Sequence, residues 1–266
     1  MILSTHGIIG SSVTVASGDA DALAFITAAA ITDTTQKSAI NTLVTDLKTA
    51  NIWTKMKALY PFVGGTAAQH RFNLKDPRAV DAAFYLDFLG GGTHSSNGYQ
   101  PNGTTSYADT KLVPSVLSEN SQHLSYYSRT QVIGGQIEIG ANSSVNNNFL
   151  GIYYSPTSGL RTSLASSTRT NIAIPSTNTQ GFFMSNRPSN TYINVWKNNS
   201  KLTTDNVAST GNDNVALYVG AVNGSTIIYS TKESAFSSIG DGLTDGEAAN
   251  LYTAVQAYQT TLNRQV

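Results

Sequence analysis

The stretch that decides the fold spans residues 181–223 and reads GFFMSNRPSNTYINVWKNNSKLTTDNVASTGNDNVALYVGAVN. Inside it, residues 192–197 place two sets of side chains on opposite faces, because successive side chains of a strand point to opposite sides. One face carries Tyr192, Asn194 and Trp196, and the other carries Ile193, Val195 and Lys197. This alternation predicts a β-strand.

A tight turn follows at Asn198 and Asn199. Asparagine tolerates the positive φ that a two-residue hairpin turn requires, so residues 200–204 are predicted to pair back onto the strand. Two short apolar runs, at residues 182–184 and 215–219, are bounded by Gly, Asn and Ser and predict two more strands. The stretch therefore indicates four consecutive antiparallel strands.

The composition is that of a neutral, cysteine-free chain long enough for one large all-β domain or two smaller ones. At 266 residues it can bury a hydrophobic core that needs no stabilising cross-links. The absence of cysteine excludes disulfides and thiolate metal sites. Only 12% of residues are charged, against about a quarter in ordinary soluble domains. Basic and acidic residues balance at 16 each, so nucleic acid is not an expected partner.

Asn, Ser, Thr and Gln supply most of the polarity, and two interpretations of this composition stay open. Such a surface suits sugar hydroxyls, or it reflects a turn-rich β protein. The longest weakly polar stretch, residues 22–31, is too short to span a bilayer. We expect no membrane insertion and no export by a standard signal peptide. A protein that assembles into a virus particle released by lysis would reach the outside of the cell without a signal peptide.

Helices are predicted at both ends of the chain. Residues 1–18 are interpreted as an extended arm, followed by a short helical pattern and by a helix capped by Asp33 with Gln36 three residues on. Thr244 and Glu247 form a second capping box before an apolar stripe. We predict an arm and helical segment over 1–57, a β-sandwich over 58–242, and a helix over 243–266 that packs on the sandwich.

The rest of the chain supplies short candidate strands about ten residues apart, a spacing typical of a sandwich or barrel. They are predicted at residues 84–88, 123–129, 136–139, 149–154, 160–164, 172–174, 227–229 and 235–236. Residues 93–109 are predicted to form a long polar loop, and binding groups tend to lie on such loops.

Two segments carry resemblances to known families. The strand order of residues 181–223, ending in Tyr218-Val219-Gly220-Ala221, resembles the second half of the concanavalin A-like lectin/glucanase sandwich, which includes laminin-G-like modules. The final strand, GDGLTD at 240–245 and last helix resemble the close of laminin-G-like modules in phage structural proteins. Residues 53–77, WTKMKALYPFVGGTAAQHRFNLKDP, are similar to tail and fibre proteins of phages, especially those infecting Bacteroidetes.

The resemblances imply a mainly β protein: a concanavalin A-like jelly-roll sandwich with amino-terminal helices and a carboxy-terminal helix. They place it in the virion, with other virion proteins and host-surface glycans as partners. We expect a homo-oligomer, with a trimer as one candidate symmetry.

Catalytic motifs are absent from the sequence. Many glucanases of this fold carry Glu-x-Asp-x-Glu, which aims two carboxylates at one sugar linkage. Here Glu138 has only Gln136 at the required spacing and is interpreted as a lone exposed strand residue. His94 and His123 are expected to be hydrogen-bonding groups, and neither Gly-x-Ser-x-Gly nor a phosphate loop occurs. We predict no catalytic residue and no enzyme.

Metal binding is the weaker interpretation of two Asp- and Asn-rich segments. Asp205, Asn206 and residues 212–214 crowd one predicted loop, and Asp241 and Asp245 lie in another. Turn formation explains both, while calcium, which takes six to eight oxygen ligands, stays open as an alternative. No other cofactor is expected.

Sugar recognition uses flat aromatic rings together with amides and hydroxyls. The candidate ligand-binding residues are Tyr99, Asn102 and Tyr107 in the long loop and Trp196, Asn198 and Asn199 at the hairpin. A core position is the alternative for Trp196. Protein contact or plain exposure are the alternatives for the loop residues.

The sequence therefore leads to one hypothesis and two rivals. The hypothesis is a non-catalytic adhesin on a phage particle, as part of a fibre, tail or head decoration, that binds host or environmental glycans. The first rival is an architectural virion subunit that only packs against neighbours. The second is a noncanonical glycan hydrolase that uses Glu138.

Overall fold

A computed structural model describes residues 18–131, 136–143, 146–151, 159–172 and 179–266. The predicted arm, apart from Gly18, and the ends of the strands predicted at 149–154 and 172–174 lie outside the described residues.

The described residues form four α-helices and seventeen strands, so the fold is mainly β, as predicted. The helices are α1 Ala20–Ala28, α2 Thr34–Thr49, α3 Ala67–His70 and α4 Asp245–Thr261. The strands are β1 Met56–Tyr60, β2 Asp87–Leu89, β3 Thr93–Ser95, β4 Gly98–Gln100, β5 Tyr107–Asp109, β6 Gln122–Ser128, β7 Ile139–Asn142, β8 Asn147–Gly151, β9 Leu160–Ser166, β10 Thr170–Ile172, β11 Gly181–Ser189, β12 Tyr192–Lys197, β13 Ser200–Asp205, β14 Tyr218–Val219, β15 Ala221–Gly224, β16 Ile228–Tyr229 and β17 Ser234–Gly240.

The strands form two sheets that stack as a sandwich, with the helices as a third layer. We call the first the middle sheet: its order is β13-β12-β11-β6-β17-β4-β3, and β1 also pairs with β17. The second, the outer sheet, has the order β10-β9-β8-β7-β14-β5-β2. The strand pairings of the described residues are antiparallel except that between β15 and β7, which is parallel; β15 also pairs with β16 in antiparallel fashion.

Two hydrophobic cores separate the three layers. Neighbouring residues of one strand enter different cores, because their side chains point to opposite faces. Tyr126 and Phe183 lie between the sheets, whereas Tyr127 and Phe182 pack under the helices. The predicted two faces of β12 follow the same rule: Val195 lies between the sheets.

The caps predicted from sequence are confirmed at both long helices. The Asp33 side chain accepts a hydrogen bond of 2.8 Å from the Gln36 backbone amide at the start of α2. Thr244 and Glu247 make the reciprocal capping box of α4. The buried faces of α2 and α4 pack against each other and onto the middle sheet. The first predicted boundary, between residues 57 and 58, falls within β1, and the division into three segments stays a prediction.

The predicted hairpin is also confirmed. Lys197 lies opposite Ser200, and Asn198 has a φ of +51°, the left-handed conformation that asparagine tolerates. The Asn198 side-chain oxygen accepts a hydrogen bond of 2.9 Å from the Phe182 amide. The turn is therefore tied to the next strand of the middle sheet.

The long loop predicted over residues 93–109 is wrong in its first and last parts. β3 and β4 form a hairpin there, with Ser95 opposite Gly98, and β5 closes the segment. Gly98 has a φ of +144°, and a Cβ at this position would lie 2.1 Å from the Ser234 carbonyl oxygen. The polar composition of this segment gave no sign of these strands, and at Gly98 the strand is held by the close approach of its backbone to that of Ser234.

No helix in the described part of the chain combines the length and the apolar character that a bilayer crossing requires.

A buried arginine fastens the end of the chain to the sandwich. The Arg264 guanidinium is 1% exposed and donates to the carbonyls of Pro61, Phe62 and Ala235 at 2.7, 2.7 and 2.9 Å. Its Nε donates to the Gln259 side chain at 2.7 Å. The planar group thus satisfies several buried acceptors at once.

Replacing this group should be costly. In Arg264→Met the apolar stem stays, while the Phe62 carbonyl and the Gln259 side-chain oxygen lose the donor that Arg264 supplies. The carbonyls of Pro61 and Ala235 keep hydrogen bonds from the Tyr258 hydroxyl and the Gln259 amide. Leaving two buried acceptors unpaired costs about 3 kcal/mol in total. Urea unfolding would measure the difference. Arg78→Met, at an arginine whose side chain is 67% exposed, is the control and should leave the midpoint unchanged. A loss at Arg264 no larger than in the control would contradict the assignment.

Candidate ligand-binding cleft

A cleft of about 530 Å³ opens on the helix side of the middle sheet, between β12–β13 and the start of α4. Its lining combines one aromatic ring, one amide, two hydroxyls and one ion pair with two apolar residues. These residues are Tyr192, Asn194, Thr204, Thr244, Lys201, Asp245, Pro188 and Leu243.

The cleft exists because α4 covers only part of this sheet face. Trp196 is 6% exposed and lies in the core under the helices, whereas Tyr192, on the same face, is only half-buried. The position of α4 is set by Asn186 of β11, whose amide exchanges hydrogen bonds of 2.7 and 2.8 Å with the Leu243 backbone. The helix therefore begins beside Asn194 and leaves Tyr192 uncovered.

A chain of hydrogen bonds fixes the polar groups of the cleft. The Thr204 hydroxyl donates to the Asn194 side-chain oxygen at 2.7 Å, and the Asn194 amide nitrogen donates to Asp245 at 3.1 Å. Lys201 Nζ donates to the other Asp245 oxygen at 2.6 Å. The Lys201 and Asp245 side chains are 35% and 55% exposed. They can therefore still bond a ligand, while their charges cancel.

The start of α4 does not present a free positive end. Asp245 and Glu247 lie in its first turn, where negative side chains offset the helix dipole. The Glu247 carboxylate also accepts hydrogen bonds from Lys55 Nζ at 2.6 Å and from the Thr244 amide at 2.8 Å. The cleft is consequently suited to a neutral, hydroxyl-rich ligand more than to an anion.

The structure separates the hairpin residues predicted to bind ligand. Trp196 is in the core, which was its alternative interpretation. Asn198 is occupied in the turn, and Asn199 is exposed at the end of β12–β13 that lies away from Tyr192. The alternation along residues 192–197 correctly predicted that two cleft residues, Tyr192 and Asn194, lie on the same face of β12. Lys201, Thr204 and Asp245 were missed as a group, because only tertiary packing brings α4 to β13.

The loop residues also lie apart from the cleft and from one another. Tyr99 is fully buried, with its ring centroid 4.8 Å from Phe88 and 5.0 Å from His94. Asn102 is exposed, but its side-chain oxygen accepts hydrogen bonds from successive backbone amides of the turn. Its side chain therefore serves the loop itself.

Tyr107 belongs to a half-buried group of three tyrosines at the outer sheet. Its ring stacks on Tyr218 with centroids 4.3 Å apart, and Tyr229 lies 6.3 Å away. Burial raises the pKa of Tyr218 to about 12, with the neighbouring Tyr107 and Asp109 adding to the effect. This group, which we call the tyrosine face, is a second aromatic surface remote from the helices.

The histidines are hydrogen-bonding groups, as expected for His94 and His123. His70 and His94 share a contact of 3.0 Å between their Nδ1 atoms, and burial lowers their pKa values to about 3 and about 4. His123 is buried, contacts the Ser238 hydroxyl and the Asp241 carbonyl, and has a pKa of about 4 because of burial. All three are neutral at physiological pH.

The interpretation of Glu138 as an exposed strand residue is wrong. Its side chain is fully buried and pairs at 3.1 Å with Lys232, which is also fully buried. A buried carboxylate requires such a partner, because desolvation otherwise disfavours its charged form. The charge pattern alone gave no signal of this pairing, since the two residues are 94 positions apart.

The acidic segments considered for calcium are engaged with protein groups. Asp213 accepts hydrogen bonds from the Ser143, Asn214 and Val215 amides, as a turn-forming residue does. Asp241 pairs with Lys57 at 3.3 Å. Among the described residues, no group of three or more His, Cys, Asp or Glu side chains is placed to hold a metal ion. Calcium stays an alternative prediction from the sequence.

Comparison with solved structures identifies the architecture. A mutant of Trypanosoma rangeli sialidase displaying trans-sialidase activity matches with a TM-score of 0.50 at 11% identity, over 84% of this chain and 39% of the sialidase. The chain is a β-sandwich. It spans about two fifths of the length of that sialidase, and at this identity the match shows the fold alone.

Two further structures match at lower TM-scores. Domain 4 of AbnA, an extracellular arabinanase from Geobacillus stearothermophilus, gives 0.45 at 15% identity, over 74% of this chain and 98% of that domain. The botulinum neurotoxin serotype D/C binding domain gives 0.48 at 10% identity, over 77% and 53% of the two chains. No protein-family model matches the sequence, and the search of curated proteins gives no match.

The ion pair below the cleft predicts a pH dependence. Burial by itself raises the pKa of Glu247, but the hydrogen bonds from Lys55 and Thr244 outweigh it and hold the pKa below its ordinary value. This contribution to stability is complete above the ordinary carboxyl pKa and is lost as the pH falls through the folded-state pKa.

We therefore expect Glu247→Gln to be less stable than the parent protein at neutral pH, with the difference closing on acidification. Urea unfolding at neutral pH and at about pH 3 would measure it. Glu119→Gln, at an exposed glutamate, is the matched control. A difference in the Glu247 variant that stays constant with pH would argue against the ion pair.

Proposed function

We propose that this protein is a non-catalytic glycan-binding protein of a phage particle, and that the cleft beside α4 is its binding site. The observation that carries the proposal is the fixed chain of hydroxyl, amide and ion pair from Thr204 through Asn194 and Asp245 to Lys201, next to the Tyr192 ring. This is the set of groups that a sugar ring with several hydroxyls can engage.

The size and charge of the cleft favour a short neutral glycan. A volume of about 530 Å³ lies within the roughly 300–1,000 Å³ of ordinary small-molecule sites. Lys201 and Asp245 cancel each other's charge, while each keeps exposed hydrogen-bonding capacity. A hydroxyl can replace water at these groups without an unpaired charge being buried.

Binding without hydrolysis is proposed because the cleft offers a single carboxylate among its described lining residues. Glycosidases of the retaining kind use two carboxyl groups about 5–5.5 Å apart, one as acid and one as nucleophile. Asp245 is held by Lys201 and Asn194, and Glu138 of the hydrolase alternative is buried beside Lys232.

The virion role rests on the resemblance of residues 53–77 to phage tail and fibre proteins and of the chain's end to phage laminin-G-like modules. Display on a particle would let several linked copies of the site gain avidity without new contacts. Other virion proteins and copies of this chain, in a trimer or another symmetry, are the proposed assembly partners. Host-surface glycans are the proposed ligands.

A pair of tyrosine variants tests the cleft. On a glycan array followed by titration of the best glycan, Tyr192→Ala should bind at least about tenfold more weakly, equivalent to about 1.4 kcal/mol, because the aromatic contact is removed. Tyr107→Ala, at a half-buried tyrosine of the tyrosine face, is the matched control and should bind as the parent does.

The two variants distinguish the alternatives. A loss confined to Tyr107→Ala would move the glycan site to the tyrosine face and reject the cleft. Absence of glycan binding by the parent, even when presented as an oligomer, would reject the adhesin and favour the architectural subunit. Shortened polysaccharide products would support the hydrolase.

The location has its own test. Antibodies against the purified protein should label intact phage particles in electron micrographs, at positions where the cleft faces solvent. Particles without label, from a lysate that contains the free protein, would contradict the virion assignment.

A further inference from the structure

A second polar cluster lies inside the sandwich, where the residues just before β7 contact the residues just before β17. Lys232 precedes β17 of the middle sheet and Glu138 precedes β7 of the outer sheet. Both side chains have no exposed surface, and Lys232 Nζ lies 3.1 Å from Glu138 Oε1. A buried ion pair of this kind is seldom favoured by stability alone, because desolvation of the two charges offsets their attraction.

The amide of Gln136 completes the cluster. Its carbonyl oxygen accepts hydrogen bonds from the Thr231 amide at 3.0 Å and from Lys232 Nζ at 3.3 Å. The carbonyl carbon is one bond, about 1.2 Å, from that oxygen. An amine, a carboxylate and a carboxamide carbon therefore meet in one place, and Gln136 itself is only partly exposed.

We propose that Lys232 and Gln136 form an intramolecular isopeptide bond, with Glu138 as the proton acceptor. Glu138 takes a proton from the Lys232 ammonium, and the neutral Nζ attacks Cδ of Gln136. The new C–N bond forms, and Nζ gives up a second proton as the bond between Cδ and the Gln136 amide nitrogen breaks. The leaving nitrogen takes up both protons, one of them through Glu138, and departs as ammonium, so that Glu138 ends as a carboxylate again. The net change is the loss of one ammonia from the chain, and no oxidant or cofactor is consumed.

The arrangement supplies what this reaction needs. Fixed proximity replaces a bimolecular encounter, which is worth effective concentrations of about 10⁵ M or more. The Thr231 amide donates to the oxygen on which negative charge develops, as an oxyanion hole does. A base in contact with the nucleophile activates it. The Tyr126 hydroxyl donates to the Lys232 carbonyl at 2.7 Å and holds that residue's backbone in position.

The product would be a covalent link between the two sheets in a chain that has no cysteine. The linked residues are 96 positions apart, so the bond would close a long loop of chain and restrict the unfolded state. A molecule exposed to mechanical load would gain resistance to unfolding from it.

The test is the intact mass of the purified, denatured full-length protein. We expect a mass lower than that of the sequence by one ammonia, and a peptide pair joined at Gln136 and Lys232 after proteolysis. Lys232→Arg and Glu138→Gln should each have the full mass of their own sequences, whereas the control Lys201→Arg should still lack one ammonia.

Each outcome decides the proposal. A parent protein of full mass overturns it, and this result does not depend on whether any variant folds. Loss of ammonia without a joined peptide, as from cyclisation of an asparagine, also overturns it. A joined product that hydroxylamine cleaves would be an ester to Thr231, whose hydroxyl lies 3.0 Å from the Gln136 oxygen, and would exclude Lys232 as the nucleophile.

Discussion

The structure depends on a sheet that is buried on both faces. In β6 and β11, adjacent aromatic residues such as Tyr126 and Tyr127 enter different cores, so each strand contributes to the sandwich and to the helical layer at once. Such a sheet cannot slip by one residue, because the shift would exchange the contents of both cores. The helices at the two ends of the chain are therefore part of the sandwich's packing and not appendages to it.

The polar interior follows from the same layering. Arg264 and Lys232 are buried, and both are satisfied by carbonyls or by a carboxylate. An apolar side chain at Arg264 would leave the Phe62 carbonyl unpaired, and one at Lys232 would leave the Glu138 carboxylate without its cation. Six of the chain's 32 charged residues, among them Arg187, Lys232 and Arg264, are thus buried inside the molecule.

The cleft is a consequence of incomplete coverage. Because α4 begins at Asp245, it covers Trp196 but leaves Tyr192 accessible, and it brings its first acidic residue to Lys201 of β13. The same sheet face is therefore a core at one end and a polar recess at the other. None of the described helices packs over the tyrosine face of the outer sheet, which contains Tyr107, so it is a surface of a different kind.

The sequence by itself determined the local structure: the alternation along β12, the turn at Asn198, and the helix starts at Asp33 and Thr244 depend on neighbours within a few residues. The spacing of apolar runs indicated a sandwich or a barrel, and the resemblance of residues 181–223 to concanavalin A-like sandwiches favoured the sandwich. Only the tertiary structure decided which polar residues meet. Lys232 reaches Glu138 through sheet stacking, and no local pattern specifies contacts between residues that far apart in the chain. The same reason moved Tyr99 from an expected loop surface into the core and assembled the cleft from β12, β13 and α4.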